Sequence, residues 1–175
     1  MVFDVESIGL HGEAFAVGYV VVNDAGERLD EGRFACDPYR ARGTAHSHSW
    51  VTQNVSLTSR DVNCHSPGVV RQEFWATYQR WKAKPEGLTL WADCAWPVEA
   101  RFLIACIEDG HTEWEWHGPY PLHEIATLAL AAGYDPTATV ERLPEELPAH
   151  NPLCDARQSA RLLVQYLGEL KAVRP

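Results

Sequence analysis

The chain has 175 residues, 46% of them hydrophobic and 22% charged, which suits one globular domain over residues 1–175 and excludes a disordered or fibrous chain. Fifteen Lys and Arg against 24 Asp and Glu give a net charge of −9, so a protein that coats nucleic acid through a basic surface is excluded, whereas an acidic, metal-centred site is not. The longest apolar run, Ala14 to Val22, falls well short of the roughly 20 residues that span a bilayer, and the opening residues lack a basic region followed by an apolar core, so neither a membrane span nor a Sec-type signal is expected. The five cysteines, at 36, 64, 94, 106 and 154, are odd in number and contain no CxxC pair, so the expectation is a cytoplasmic protein with most thiols buried as small apolar groups.

Residues 2–6 and 14–22 read as strands, being rich in β-branched and aromatic residues. Asn23-Asp24-Ala25-Gly26 is a hairpin turn, and a third strand around Arg28 to Cys36 returns antiparallel, because so short a connection cannot make a parallel crossover. The polar stretch from Gly43 to Pro67 is expected to be loop. From Pro67, the spacing of Val70, Phe74, Tyr78 and Trp81 predicts a helix that ends at Lys84-Pro85-Glu86-Gly87. Leu88 to Asp93 reads as a short strand. Pro97 opens a second helix with Val98, Phe102, Cys106 and Ile107 on one face, and Pro121 opens a third with Ile125, Leu128 and Ala132. A strand over Glu113 to His117 is expected between them. The last helix takes Asn151 as N-cap and Pro152 as its first residue, with Ala156, Ala160, Leu163, Leu167 and Leu170 facing inward. This order predicts an α/β fold, a central mixed sheet with an antiparallel opening meander, flanked by helices.

Asp4 and Glu6 alternate with Phe3 and Val5 on the first strand, so both carboxylates leave one face. Two like charges so close raise one pKa or recruit a cation, and hard oxygen ligands suit Mg²⁺ or Mn²⁺; the alternative is a solvated edge strand. At the other end of the chain, Asp155 falls in the first turn of the last helix and His150 in the loop before it. A histidine beside carboxylates serves as a general base near neutral pH, or is simply a surface residue. Small residues at 156, 159 and 160 allow this helix close to the sheet.

The segment Phe3-Asp4-Val5-Glu6-Ser7-Ile8-Gly9-Leu10 resembles the first exonuclease motif of the DEDDh family of 3′-to-5′ exonucleases, the DnaQ-like and oligoribonuclease-like group, and His150 to Ala160 resembles the third. The two stand in the family's order at opposite ends of the chain, and the resemblance implies a ribonuclease-H-like fold. The middle motif departs from the family, which usually has an Asn at a strand end and an Asp opening a helix that ends in Phe-Leu. Here the segment reads Leu90-Trp91-Ala92-Asp93-Cys94-Ala95-Trp96-Pro97-Val98-Glu99-Ala100-Arg101-Phe102-Leu103. Anchoring on Phe102-Leu103 puts Glu99 in the third acid's place, whereas anchoring on the strand end makes Asp93 replace the Asn; Asp93 is the favoured residue, because the sheet would fix it, and the longer Glu99, free to point outward, is the alternative.

The resemblance implies two divalent ions, Mg²⁺ or Mn²⁺, held by Asp4, Glu6, Asp155 and either Asp93 or Glu99, with His150 taking the proton from an attacking water. It further implies Leu10 wedged against the terminal base and Trp50 stacked on the substrate, nucleic acid 3′ ends as partner, and nucleoside 5′-monophosphates as product. A catalytically weakened relative that binds nucleotide ends or a protein partner is the alternative, motivated by the altered middle motif. Arg157 and Arg161 either meet phosphates or cover a helix flank. His46, His48, Cys64 and His65 match no compact zinc pattern, and Glu141 to Glu146 reads as a solvated loop. Seven tryptophans leave room for an apolar homodimer interface.

Overall fold

A computed structural model of the chain describes residues 1–110 and 115–173, the side chain of Val173 excepted. Three antiparallel strands, β1 (Val2–Ser7), β2 (Ala14–Val22) and β3 (Arg28–Ala35), form the expected meander. Asn23 shapes the β2–β3 turn, its Oδ1 accepting the N–H groups of Ala25 and Glu27 at 3.0 and 2.9 Å, and Gly26 supplies the positive φ of 81°. β4 (Leu90–Ala92) and β5 (Leu122–Glu124) add in parallel, giving one mixed sheet in the order β3-β2-β1-β4-β5. The predicted α/β architecture is therefore the observed one.

Among the described residues, helices α1 (Ala45–Asn54), α2 (Pro67–Lys82), α3 (Val98–Asp109), α4 (Ile125–Ala131) and α5 (Pro152–Val173) complete the fold. Two correct the sequence reading. α1 lies inside the stretch expected to be loop; only Val51 of it is buried, so no apolar periodicity marked it, and the legible signal was its N-cap, Thr44, whose Oγ1 accepts the Ser47 N–H at 3.1 Å. The helix expected from Pro121 begins only at Ile125, because Leu122–Glu124 pair with Leu90–Ala92 and ladder formation overrides local helix preference. Of the strand expected over 113–117, residues 113 and 114 lie outside the described residues and 115–117 form a turn.

Alternation along β1 divides the core. Phe3 and Val5 face α2 and α3, packing with Phe74, Tyr78, Phe102 and Cys106, while Val2 faces α4 and α5 with Ile125, Ala129, Ala156 and Leu163. β2 is buried along nearly its whole length because helices cover both faces. Among the described residues no helix is long and apolar enough to cross a membrane. Four of the five cysteines are buried and all are free, with Cys94 exposed.

One mismatch of length positions the site. β4 pairs with β1 only at Val2 and Phe3, whereas β1 continues to Ser7. The crevice at the carboxyl ends of these parallel strands is where an open α/β sheet accepts ligands. Asp4 and Glu6 stand on the stretch of β1 that β4 leaves uncovered.

Candidate active site

Asp4 and Glu6 share the face of β1 that looks toward α5, and their partners on β2 are Gly18 and Ala16. Small partners leave the carboxylates room. Gly18 has a second role: a Cβ there would stand 2.2 Å from the Pro152 carbonyl and 2.3 Å from the Leu153 nitrogen, so α5 begins in direct backbone contact with β2. Ala156, Ser159 and Ala160 extend that close approach, all three being buried. The small residues at these positions thus do what the sequence suggested, and Gly18 is the piece it missed; a lone glycine inside an apolar strand was the available signal.

The start of α5 is fixed as expected. Asn151 accepts the Leu153 N–H on Oδ1 at 3.3 Å, its carbonyl accepts the Asp155 N–H at 2.9 Å, and its own amide donates to the Ser56 carbonyl at 2.9 Å. His150, one residue earlier, takes a φ of 56°, uncommon for a non-glycine residue, and its carbonyl accepts the Ser56 N–H at 2.8 Å. This clamp turns the imidazole toward the cluster: one ligand atom each from Glu6, His150 and Asp155 lies within 4.8 Å of the others, the only such metal-competent group among the described residues. His46, His48, Cys64 and His65 make no comparable group there; His48 instead stacks on Tyr39 with centroids 5.6 Å apart.

Of the two candidates for the third acid, Glu99 does not point outward as anticipated. It lies in the first turn of α3, is 8% exposed, and takes hydrogen bonds from the backbone at Val5 and at its own residue, which fills the edge of β1 beyond the end of β4. Asp93 follows β4, where its carbonyl accepts the Ala126 N–H at 2.9 Å, and its side chain opens to solvent. Both contribute to the field at Asp4.

That field is strongly negative. Burial, then Glu6, Asp155, Glu99 and Asp93, raise the Asp4 carboxyl well above the usual carboxylate range. Burial followed by Asp155 and Glu99 pushes Glu6 up to about 8, and burial pushes Glu99 up to about 7. Asp155 is raised too, by burial, against the opposing pull of Arg142, whose Nη1 donates to its Oδ1 at 2.5 Å. Arg142 was missed by sequence reasoning, since nothing in Glu141-Arg142-Leu143-Pro144 marks a site residue. Five carboxylates and one imidazole, with Glu6 and Glu99 buried, Asp93 and His150 exposed, and Arg142 paired to Asp155, form a donor set that fits hard divalent cations.

Around this cluster, Leu10 is 63% exposed in the β1–β2 turn. Gly9 before it has a φ of 71°, and a Cβ there would meet Ser47 Oγ at 2.6 Å, so α1 leans directly on the turn. One turn further along α1, Trp50 is 45% exposed and meets the His150 ring edge-on at 5.5 Å. Trp50 thus belongs to the rim of the site rather than to the core. Arg157 and Arg161 lie elsewhere: Arg157 grips Glu31 of β3 at 2.6 and 2.8 Å, and Arg161 grips Glu146 at 2.6 and 2.9 Å. The loop read as solvated is correspondingly anchored, Glu146 being 2% exposed and also accepting the Leu143 N–H at 2.9 Å.

No protein-family model matches the sequence, and no curated protein matches it. Solved structures do match in fold. Exonuclease X, in complex with 5′ overhanging duplex DNA, aligns with a TM-score of 0.55 at 17% identity, over 95% of this chain and 90% of that one. The crystal structure of cell-death related nuclease 4 (CRN-4) aligns with a TM-score of 0.51 at 12% identity, over 95% of this chain and 63% of that one. The chain therefore shares the fold of these two nucleases.

Proposed function

We propose that this protein is a metal-dependent 3′-to-5′ exonuclease that hydrolyses RNA or single-stranded DNA to nucleoside 5′-monophosphates. The observation that carries the reading is the convergence of Glu6, His150 and Asp155, from opposite ends of the chain, on the Asp4 face of β1 within an exonuclease fold. Divalent ions, when bound, supply the positive charge that activates water and neutralises the phosphate in such a site. The residues to hold them are Asp4, Glu6 and Asp155, with Glu99 as the buried third acid and Asp93 at the mouth.

The chain's own groups divide the remaining work. The acids raised by burial and mutual repulsion give up protons and repulsion together when cations arrive, so the site binds cations more tightly as pH rises. His150, exposed at the cluster's edge, accepts the proton of the attacking water as its oxygen bonds to phosphorus. The bond from phosphorus to the 3′ oxygen breaks, and that oxygen leaves with a proton from solvent. Leu10 and Trp50 flank the position of the terminal base, where stacking contributes about 1–3 kcal/mol whatever the sequence.

The test is Mg²⁺- or Mn²⁺-dependent release of nucleotides from 5′-labelled RNA and DNA oligomers, with Asp4→Asn and His150→Ala alongside. A one-nucleotide ladder that EDTA and both substitutions abolish is expected. Ion binding without cleavage by the wild type would instead establish the alternative, a binding protein on an exonuclease fold.

A further inference from the structure

On the other side of the β1 terminus from Asp4 and Glu6 lies a cavity of about 720 Å³, within the range that accommodates a nucleotide. Ser7, next to Glu6, lines it, as do Trp96 and Pro97 at the start of the helix that carries Glu99, so the cavity adjoins the acid cluster. We propose that this cavity is a second nucleotide site, holding a nucleotide of the substrate strand beyond the one at the acid cluster. The inference rests on the nuclease reading for the strand's identity and on the cavity's own chemistry for the rest.

That chemistry combines a stacking surface with arginines. Trp96 is 73% exposed beside the cavity, where a large aromatic offers its face to a base. Of the three acids of the wall, Glu13 and Asp109 are engaged by Arg71, at 3.2 Å and at 2.6 and 3.1 Å, and Glu108 is exposed, so three acids stand against Arg42, Arg71 and Arg101. Arg101 is exposed and makes no ion pair among the described residues, while the Arg42 side chain, 91% exposed, meets Glu13 through Nε at 3.4 Å, the backbone N–H of Arg42 donating to the same carboxylate oxygen at 2.9 Å. Arg42 and Arg101 are therefore available to a phosphate, and Trp96 to the base attached to it. In a chain of net charge −9, a wall in which arginines match acids admits a polyanion where the rest of the cleft needs cations.

The experiment measures binding of fluorescein-labelled octathymidylate and octauridylate by anisotropy, in Ca²⁺ and across a salt series, with adenosine 5′-monophosphate titrated separately. The proteins are the wild type, Arg42→Glu/Arg101→Glu, Trp96→Ala and Trp96→Phe. The double variant is expected to lose about tenfold or more in octamer affinity and to flatten the salt dependence by roughly the two phosphate contacts removed. Trp96→Ala weakens binding comparably and Trp96→Phe restores most of it. Octamer affinity and salt slope unchanged in the double variant overturns the proposal, as does an effect confined to the free mononucleotide. Failure of the nuclease reading shows separately, as absent cleavage by the wild type.

Discussion

Arg142 holds Asp155 through one guanidinium nitrogen, Nη1, which donates to the carboxylate at 2.5 Å and to the Glu146 carbonyl at 2.9 Å. Glu146 is itself locked to Arg161 of α5, so the loop that carries Arg142 is braced by the same helix that carries Asp155. The arginine partly offsets a cluster whose members otherwise repel one another. Arg142→Ala is expected to destabilise the metal-free protein by about 1–2 kcal/mol, a partly buried pair costing less than a fully buried one. Urea denaturation with and without Mn²⁺ measures this, and the ion should recover more stability in the variant than in the wild type.

The raised acids make stability fall as pH rises. Glu6 and Glu99 hold their protons in the folded state up to about 8 and about 7, whereas both ionise near 4.5 when unfolded. Between those values the unfolded chain binds fewer protons than the folded one, so the slope of unfolding free energy with pH is negative. Melting temperatures of the metal-free protein should decline from pH 5 to pH 8, as roughly bounded by these pKa values. Saturating Mn²⁺ should remove most of the decline, because cations take over from the protons.

Gly18 sets how near α5 comes to β1. An added Cβ meets the Pro152 carbonyl at 2.2 Å, and backbone cannot move aside as a flexible side chain can. Gly18→Ala is expected to cost about 1–3 kcal/mol, the range for overpacking, and to displace Asp155 and His150 from Glu6. Nuclease activity should fall more steeply than stability accounts for, measured at a temperature where the variant remains folded.

Glu99 and Asp93 are separable by substitution. Glu99→Gln removes the buried charge beside Asp4 and should reduce metal-dependent cleavage by about 100-fold or more, on the scale of losing one electrostatic group from a closed site. Asp93→Asn, at the solvent-exposed mouth, should reduce it less. A larger loss from Asp93→Asn would make the strand-end residue the third acid.

Much of this protein is legible along the chain. The meander follows from its apolar runs and the Asn23-Asp24-Ala25-Gly26 turn between β2 and β3, α2 and α3 from their periodic faces, and α5 from its Asn151-Pro152 start, because each signal is local and agrees with the final packing. Asp4, Glu6, His150 and Asp155 stood out for the same reason: strand alternation and helix position assign their faces without knowledge of contacts. Other features required the third dimension. The ladder to β4 turned residues 122–124 into a strand, and the freed edge of β1 drew Glu99 inward. The α5 backbone came to rest on Gly18, and the braced loop swung Arg142 onto Asp155. Sequence fixes the order and chemistry of groups, but which like charges share a cavity, and which cation answers them, depends on burial and distance, and those exist only once the sheet and α5 have packed.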